Sequence, residues 1–308
     1  MKPTASQSIA VIINASSGKH EKGEVAKSIT EILRSSGFDA RILLAQSGAE
    51  LIEFARRAVR ENPRIVVAGG GDGTINAVAS TLVGTDIALG VLPLGTLNHF
   101  AKDLQIPLDL DSATRNIIDG HIVKVDVGEI KDRIFLNNSS LGLYPKIVRR
   151  REKQQERLGR GKWPAFVWAA LTVLRRYAFL NVRLNADGKE FLRRTPFIFI
   201  GNNEYEMESF NIGGRACLNA GQLSLYMPHR TGRVGLLRLG LRALFGRLRE
   251  AKDFDAMCVK EIWIETKRKR LRVAIDGEAT VMSTPLHYRV RPKALRVIVP
   301  QSNESNNA

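Results

Sequence analysis

Cysteine is nearly missing from this 308-residue chain: Cys217 and Cys258 are the two present, and neither stands in a CxxC or Cys/His spacing. A disulfide framework and a zinc cage are therefore disfavoured, and a reduced cytosolic thiol is the default reading. Long apolar runs are missing too. The longest, Ala165 to Leu174, is about half of the roughly 20 residues that a helix needs to cross a bilayer. The opening MKPTASQSIAVIIN lacks the charged region and extended apolar core of a secretory signal, so its apolar part reads as a first strand. Aromatic side chains are scarce, with 3 Trp and 5 Tyr, and no recognition motif accompanies them, so a nucleic-acid interface is not expected. Acidic residues are in deficit as well. Lys and Arg total 47 against 31 Asp and Glu, a formal charge of +16, so the surface should attract anions such as nucleotide phosphates or acidic headgroups.

What the chain does carry is concentrated glycine. Val66-Val67-Ala68 runs into Gly69-Gly70-Gly71-Asp72-Gly73-Thr74, an apolar strand entering a glycine turn that opens a helix. Glycines let backbone N–H groups approach an anion, a helix start aims its positive end at the same point, and Asp72 can reach a cation that travels with phosphate. The plain alternative is a tight strand-to-helix turn. Neither the P-loop pattern GxxxxGK[ST] nor GxGxxG is met, because Asn76 stands where a third glycine is needed.

The first part of the chain alternates in type: a strand at 9–14, a helix at 22–35, a strand at 40–45, a helix at 49–60 stopped by Asn62-Pro63, a strand at 65–68, a helix to about 83 and a strand at 87–92. That alternation predicts an α/β domain with a mostly parallel sheet whose ligands lie at the carboxyl ends of the strands. After about residue 130 the pattern turns strand-rich, with strands near 182–184, 197–201, 222–227, 261–266, 271–275 and 288–299, which predicts a mainly β second domain interrupted by two helical insertions. Residues 301–308 read as a polar, disordered tail.

Those insertions hold most of the clustered charge. Residues 146–162 carry Arg149, Arg150 and Arg151 among eight basic side chains and lead into Trp163, Phe166 and Trp168; residues 233–249 place Leu237, Leu241, Leu244 and Leu248 on one stripe flanked by Arg238, Arg242 and Arg249. Arginines beside an apolar stripe suit a headgroup layer, and equally suit a core helix with a solvated basic edge.

A second glycine motif follows, Pro93-Leu94-Gly95-Thr96-Leu97-Asn98-His99-Phe100-Ala101. Together with NASSGK at 14–19, GGGDGT, Asp126-Val127-Gly128, Asn137-Asn138-Ser139 and Ile275-Asp276-Gly277-Glu278, it resembles the diacylglycerol kinase catalytic-domain family, which includes bacterial lipid kinases and sphingosine kinases, over roughly residues 8 to 300. The resemblance implies a nucleotide-binding domain at 1–130 joined by the last strand near 288–300, a domain at 131–287 that contributes the catalytic Asp and a lipid-facing surface, and an active cleft between the two. It assigns Asn14, Ser17, Gly69, Gly70, Gly71, Asp72, Gly73, Thr74, Gly95, Thr96 and Asn98 to ATP, Asp72 and Asp126 to magnesium, and Asp276 with Glu278 to catalysis, Asp276 as general base. On the residues alone, Asp276-Gly277 reads equally as a two-residue hairpin turn.

Three positions depart from the family pattern. His99 stands where a carboxylate is usual and is either a phosphate donor or a packing residue; Ala220 replaces a ligand of a structural magnesium common in bacterial members; Ala15 replaces a proline of the first nucleotide motif. The expected function is transfer of the γ-phosphate of ATP to a lipid hydroxyl, by a cytoplasmic protein held peripherally on the anionic inner face of the membrane, with a homodimer admitted. A catalytically weakened nucleotide- or lipid-binding regulator of the same fold and an NAD kinase remain as alternatives.

Overall fold

The structure is a computed structural model and describes residues 8–15, 22–142, 179–208, 211–215, 218–228 and 254–301. The chain divides into two compact units, Met1–Val127 with Arg291–Ala308, and Gly128–Val290. The two basic insertions, Ser17 and the polar tail lie outside the described residues.

In the first unit the alternating pattern becomes β1 (Ser8–Asn14), α1 (Lys22–Ser35), β2 (Asp39–Ala45), α2 (Gly48–Glu61), β3 (Ile65–Gly70), α3 (Asp72–Leu82), β4 (Ala88–Pro93), α4 (His99–Asp103), α5 (Leu110–Asp119) and the start of β5 (His121–Ile130). Strands β1 and β2, β1 and β3, and β3 and β4 pair in parallel. These strands are continuous apolar runs because helices cover the sheet: β3 and β4 are buried at every position, and β1 at all but its ends. Helix α1 turns Val25, Ile29 and Leu33 toward Ile9, Val11 and Val67. That four-residue spacing makes one buried stripe, and each such side chain, once buried, contributes about 1.5–3 kcal/mol.

Local chemistry sets the helix ends. Ser47 accepts from Glu50 N–H to cap α2, and Asn62 closes it in the left-handed conformation at φ 49° before Pro63 stops it. Asp109 caps α5 by accepting from Ser112 N–H at 2.8 Å. Helix α3 differs, since its N-cap is Gly71 and no side chain caps it.

The second unit contains the end of β5, β6 (Arg133–Phe135), β7 (Asn138–Gly142), β8 (Leu180–Ala186), β9 (Lys189–Thr195), β10 (Phe197–Asn202), β11 (Tyr205–Glu208), β12 (Asn211–Arg215), β13 (Leu223–Pro228), β14 (Phe254–Val259), β15 (Glu261–Thr266), β16 (Arg270–Ile275), β17 (Glu278–Ser283) and the first part of β18 (Leu286–Val299). One sheet runs β14-β13-β10-β7-β16-β17. A second set pairs β18 with β15, β15 with β8 and β8 with β9, all antiparallel. Their inner faces meet in one core in which Ile198, Leu225 and Val273 of the first pack with Leu184, Ile264 and Tyr288 of the second. Strand β18 then continues into the first unit, where Arg296 and Val297 pair in parallel with Ala88 and Leu89 of β4.

Candidate functional site

In the first unit the ends of β1, β3 and β4 bring three motifs together. Asn14, at the end of β1, donates from Nδ2 to Thr74 Oγ1 at 3.1 Å, which ties the first motif to the opening turn of α3. The β3–α3 and β4–α4 turns touch: a Cβ on Gly95 would collide with Gly71 Cα and stand 2.8 Å from Asn98 Oδ1. Only glycine permits that approach.

Asn98 holds the second turn from inside. It is buried, sits at φ 51°, accepts from Gly95 N–H at 3.1 Å, and donates from Nδ2 to Pro93 O at 3.1 Å and to Gly95 O at 2.9 Å. Asp72 accepts the Phe100 N–H on Oδ1 at 3.2 Å, so the carboxylate of one glycine turn anchors the helix that follows the other. Thr96 and His99 are exposed on the same turn, His99 as the first residue of α4.

The first amides of α3 gain nothing from their cap, because Gly71 has no side-chain oxygen to offer. Such amides at a helix start, with the dipole behind them, attract an anion. A phosphate there has a carboxylate at hand in Asp72, and that donor set suits a magnesium ion, which commonly pairs one or two carboxylates with substrate phosphates. Asp126 has a different setting. It is 1% exposed, and its Oδ1 accepts the N–H of Lys293 at 2.7 Å, pinning β5 to β18. Among the described residues no three His, Cys, Asp or Glu side chains gather into a metal cage.

Asp276 and Glu278 belong to the second unit. Asp276 and Gly277, at φ 43° and 85°, are the two loop residues of the β16–β17 hairpin, whose flanking Ile275 and Glu278 are paired. The two-residue hairpin turn expected from these residues is therefore present. The Asp276 carboxylate receives three successive backbone N–H groups: Leu136 on Oδ2 at 2.8 Å, and Asn137 and Asn138 on Oδ1 at 2.9 Å each. Its own N–H donates to Asn138 O at 2.9 Å. Sequence reading missed this nest, since its amides lie about 140 positions away and backbone donors leave no mark in residue type. Glu278 is exposed at the start of β17. At the second departure, Ala220 N–H donates to the side chain of buried Asn203 at 3.1 Å, so an amide closes the turn where Ala220 offers no side-chain oxygen.

The model of the diacylglycerol kinase catalytic domain matches residues 8–130, and that of the YegS C-terminal NAD kinase beta sandwich-like domain matches residues 146–299. The chain belongs to the diacylglycerol kinase catalytic-domain family. It is 26% identical over 296 residues to a Pseudomonas fluorescens protein named "Probable lipid kinase YegS-like", covering 93% of this chain and 94% of that one. A Klebsiella pneumoniae protein of the same name is 37% identical over 134 residues, 42% of this chain and 45% of that one. A Staphylococcus aureus diacylglycerol kinase is 28% identical over 194 residues, 62% of this chain and 61% of that one. In these last two matches the chain spans less than two thirds of the relative's length. A crystal structure of a diacylglycerol kinase from Bacillus anthracis superposes with a TM-score of 0.73 at 22% identity, covering 96% of this chain and 98% of that one, a likeness of fold. The parallel α/β unit and the β-sandwich unit are the family's fold, as the alternation and the motif order predict. No helix among the described residues is long and apolar enough to cross a membrane.

Proposed function

We propose that this chain is an ATP-dependent lipid kinase that moves a γ-phosphate to the hydroxyl of diacylglycerol, a related glycerolipid or a long-chain base. The observation that carries this reading is the uncapped start of α3, with Gly71 packed against Gly95 of the second glycine turn. Such an arrangement leaves backbone amides for a polyphosphate and keeps side chains out of its way. Asn14, Thr74 and Asn98 brace the cradle, and Asp72 would hold the magnesium. That ion, when bound, neutralises charge on the phosphates.

In the transfer the lipid hydroxyl oxygen bonds to the γ-phosphorus, the bond from that phosphorus to the bridging oxygen of ADP breaks, and the hydroxyl proton passes to Asp276, with Glu278 assisting. Nothing else need be supplied by the protein beyond position and field. The basic segments beside Trp163 and at 233–249 supply, on this reading, reversible attachment to an anionic membrane face.

Incubation with γ-labelled ATP, magnesium and a total lipid extract tests the proposal, and a labelled lipid is the expected product. Label in NADP when NAD is offered would favour the NAD kinase alternative. Nucleotide binding without transfer to either acceptor would favour a regulator, a reading to which the engagement of Asp276 by three backbone amides lends weight.

A further inference from the structure

The nest around Asp276 is itself held from two sides by buried side chains. Asn202 is fully buried at the end of β10; its Nδ2 donates to Leu136 O at 3.0 Å and its backbone N–H to Asn137 O at 2.9 Å. The carbonyls of the first two nest residues are therefore fixed while their neighbouring amides point at the carboxylate. On the other side Ser139, which directly follows the nest, donates from Oγ to Ala274 O at 2.9 Å, two residues before Asp276. A serine hydroxyl has one proton, so the 3.1 Å contact between Ser139 Oγ and Tyr288 Oη is a donation from the tyrosine. Burial pushes the Tyr288 hydroxyl well above its usual value of 10, so it keeps its proton at neutral pH. Phe135, edge-on to Tyr288 with ring centroids 6.2 Å apart, fixes the ring.

Asp276 stands on a two-residue turn, where a carboxylate would ordinarily rotate in solvent. Three convergent amides instead give it one orientation, and those amides have one position only while Leu136, Asn137 and Ser139 are held. Buried polar groups are costly unless they bond fully, so a core that keeps Asn202, Ser139 and Tyr288 together gains something other than packing from them. We propose that Asn202 and the Ser139–Tyr288 hydroxyl pair are positioning residues for Asp276, aiming its carboxylate at the acceptor hydroxyl. This rests on the proposed transfer reaction. A displacement of the carboxylate by about 1 Å costs roughly a hundredfold in rate. On the same reading the nucleotide is held by residues of the first unit, so loss of these groups should act on the transfer step.

The variants Asn202→Ala and Tyr288→Phe test it, the second removing one oxygen and leaving the ring. The expected result is a fall in kcat of about ten- to a hundredfold per folded molecule, with KM for ATP unchanged. Unchanged kcat per folded molecule in both variants would overturn the proposal, and so would a loss carried wholly by KM for ATP. Amide NMR of Leu136, Asn137 and Asn138 provides an arm that needs no turnover: both variants should move these three resonances in the direction that Asp276→Ala moves them. If wild type transfers no phosphate, the kinase reading fails on that measurement, and resonances that stay in place then defeat the positioning role separately.

Discussion

At the scale of single residues, the proposed reaction would give Asp276 two tasks with different signatures. Replacing it by Asn keeps the shape, but the amide presents at most one acceptor oxygen to a nest of three donors, so at least one buried N–H faces an N–H. We expect Asp276→Asn to lose transfer by about 10² to 10⁴ and also to lose about 1–3 kcal/mol of stability, measured by urea unfolding. Unchanged stability would mean that the nest does not depend on the charge. Asn116 gives the opposite sign. It is 7% exposed on α5, and neither its Oδ1 nor its Nδ2 has a hydrogen-bond partner among the described residues. Exchange for an apolar residue of similar size removes two unsatisfied atoms, so Asn116→Leu should raise stability by about 1–3 kcal/mol in the same assay.

At the scale of elements, the contact between the two glycine turns is the most exposed to test. A methyl at Gly95 meets Gly71 Cα and Asn98 Oδ1, whereas a methyl at Gly71 finds Gly95 Cα at 3.5 Å, an ordinary contact. Gly95→Ala should therefore force the turns apart and lower both melting temperature and ATP affinity, while Gly71→Ala should fold as wild type and lower affinity alone. Calorimetry of unfolding and of nucleotide binding separates the two. Helix α5 supplies a pH test. The N–H and hydroxyl of Ser112 hold the Asp109 carboxyl below its ordinary value of 3.8. A carboxyl that is more acidic when folded stabilises the fold above its unfolded value and loses that contribution as the pH falls through its folded one. Asp109→Asn keeps a capping oxygen without the titration. It should match wild type at neutral pH and lose less stability than wild type on acidification below about pH 4.

Which elements were legible follows from the same physics. Strands β1, β3 and β4 declared themselves because a sheet covered on both faces demands unbroken apolar runs, and α1 and α2 because a one-sided helix demands a stripe. Helix α4, five residues long, has too few turns to show a period, and α5 hides behind it although its cap Asp109 is a recognisable start. The turn residues Gly71 and Gly95 could be marked as a cradle, but their contact could not, because a glycine reports freedom and not its neighbour. Asp126 was legible as a carboxylate in a motif; its burial against the Lys293 amide depends on a strand 167 positions away.

At the scale of the whole molecule, the formal charge of +16 gives the clearest prediction. We expect reversible binding to vesicles containing phosphatidylserine, weakening as salt rises. Neutralising Arg149, Arg150 and Arg151 together should cost about 1 kcal/mol each, seen in a sedimentation assay at low salt. Equal binding to neutral vesicles would place the attraction in apolar contacts instead.

Strand β18 has a bearing on how the molecule can be made. Its residues from Arg291 onward lie beside β4 and β5, so the parallel sheet of the first unit lacks an inner strand until Val299 has been synthesised. Throughout translation β4 presents an open, apolar edge that templates wrong pairings. The second unit, uninterrupted in sequence, is complete once the first part of β18, to Val290, has been made. The sandwich is therefore free to close as soon as Val290 is made, and the α/β unit, begun first, is sealed by the residues that follow.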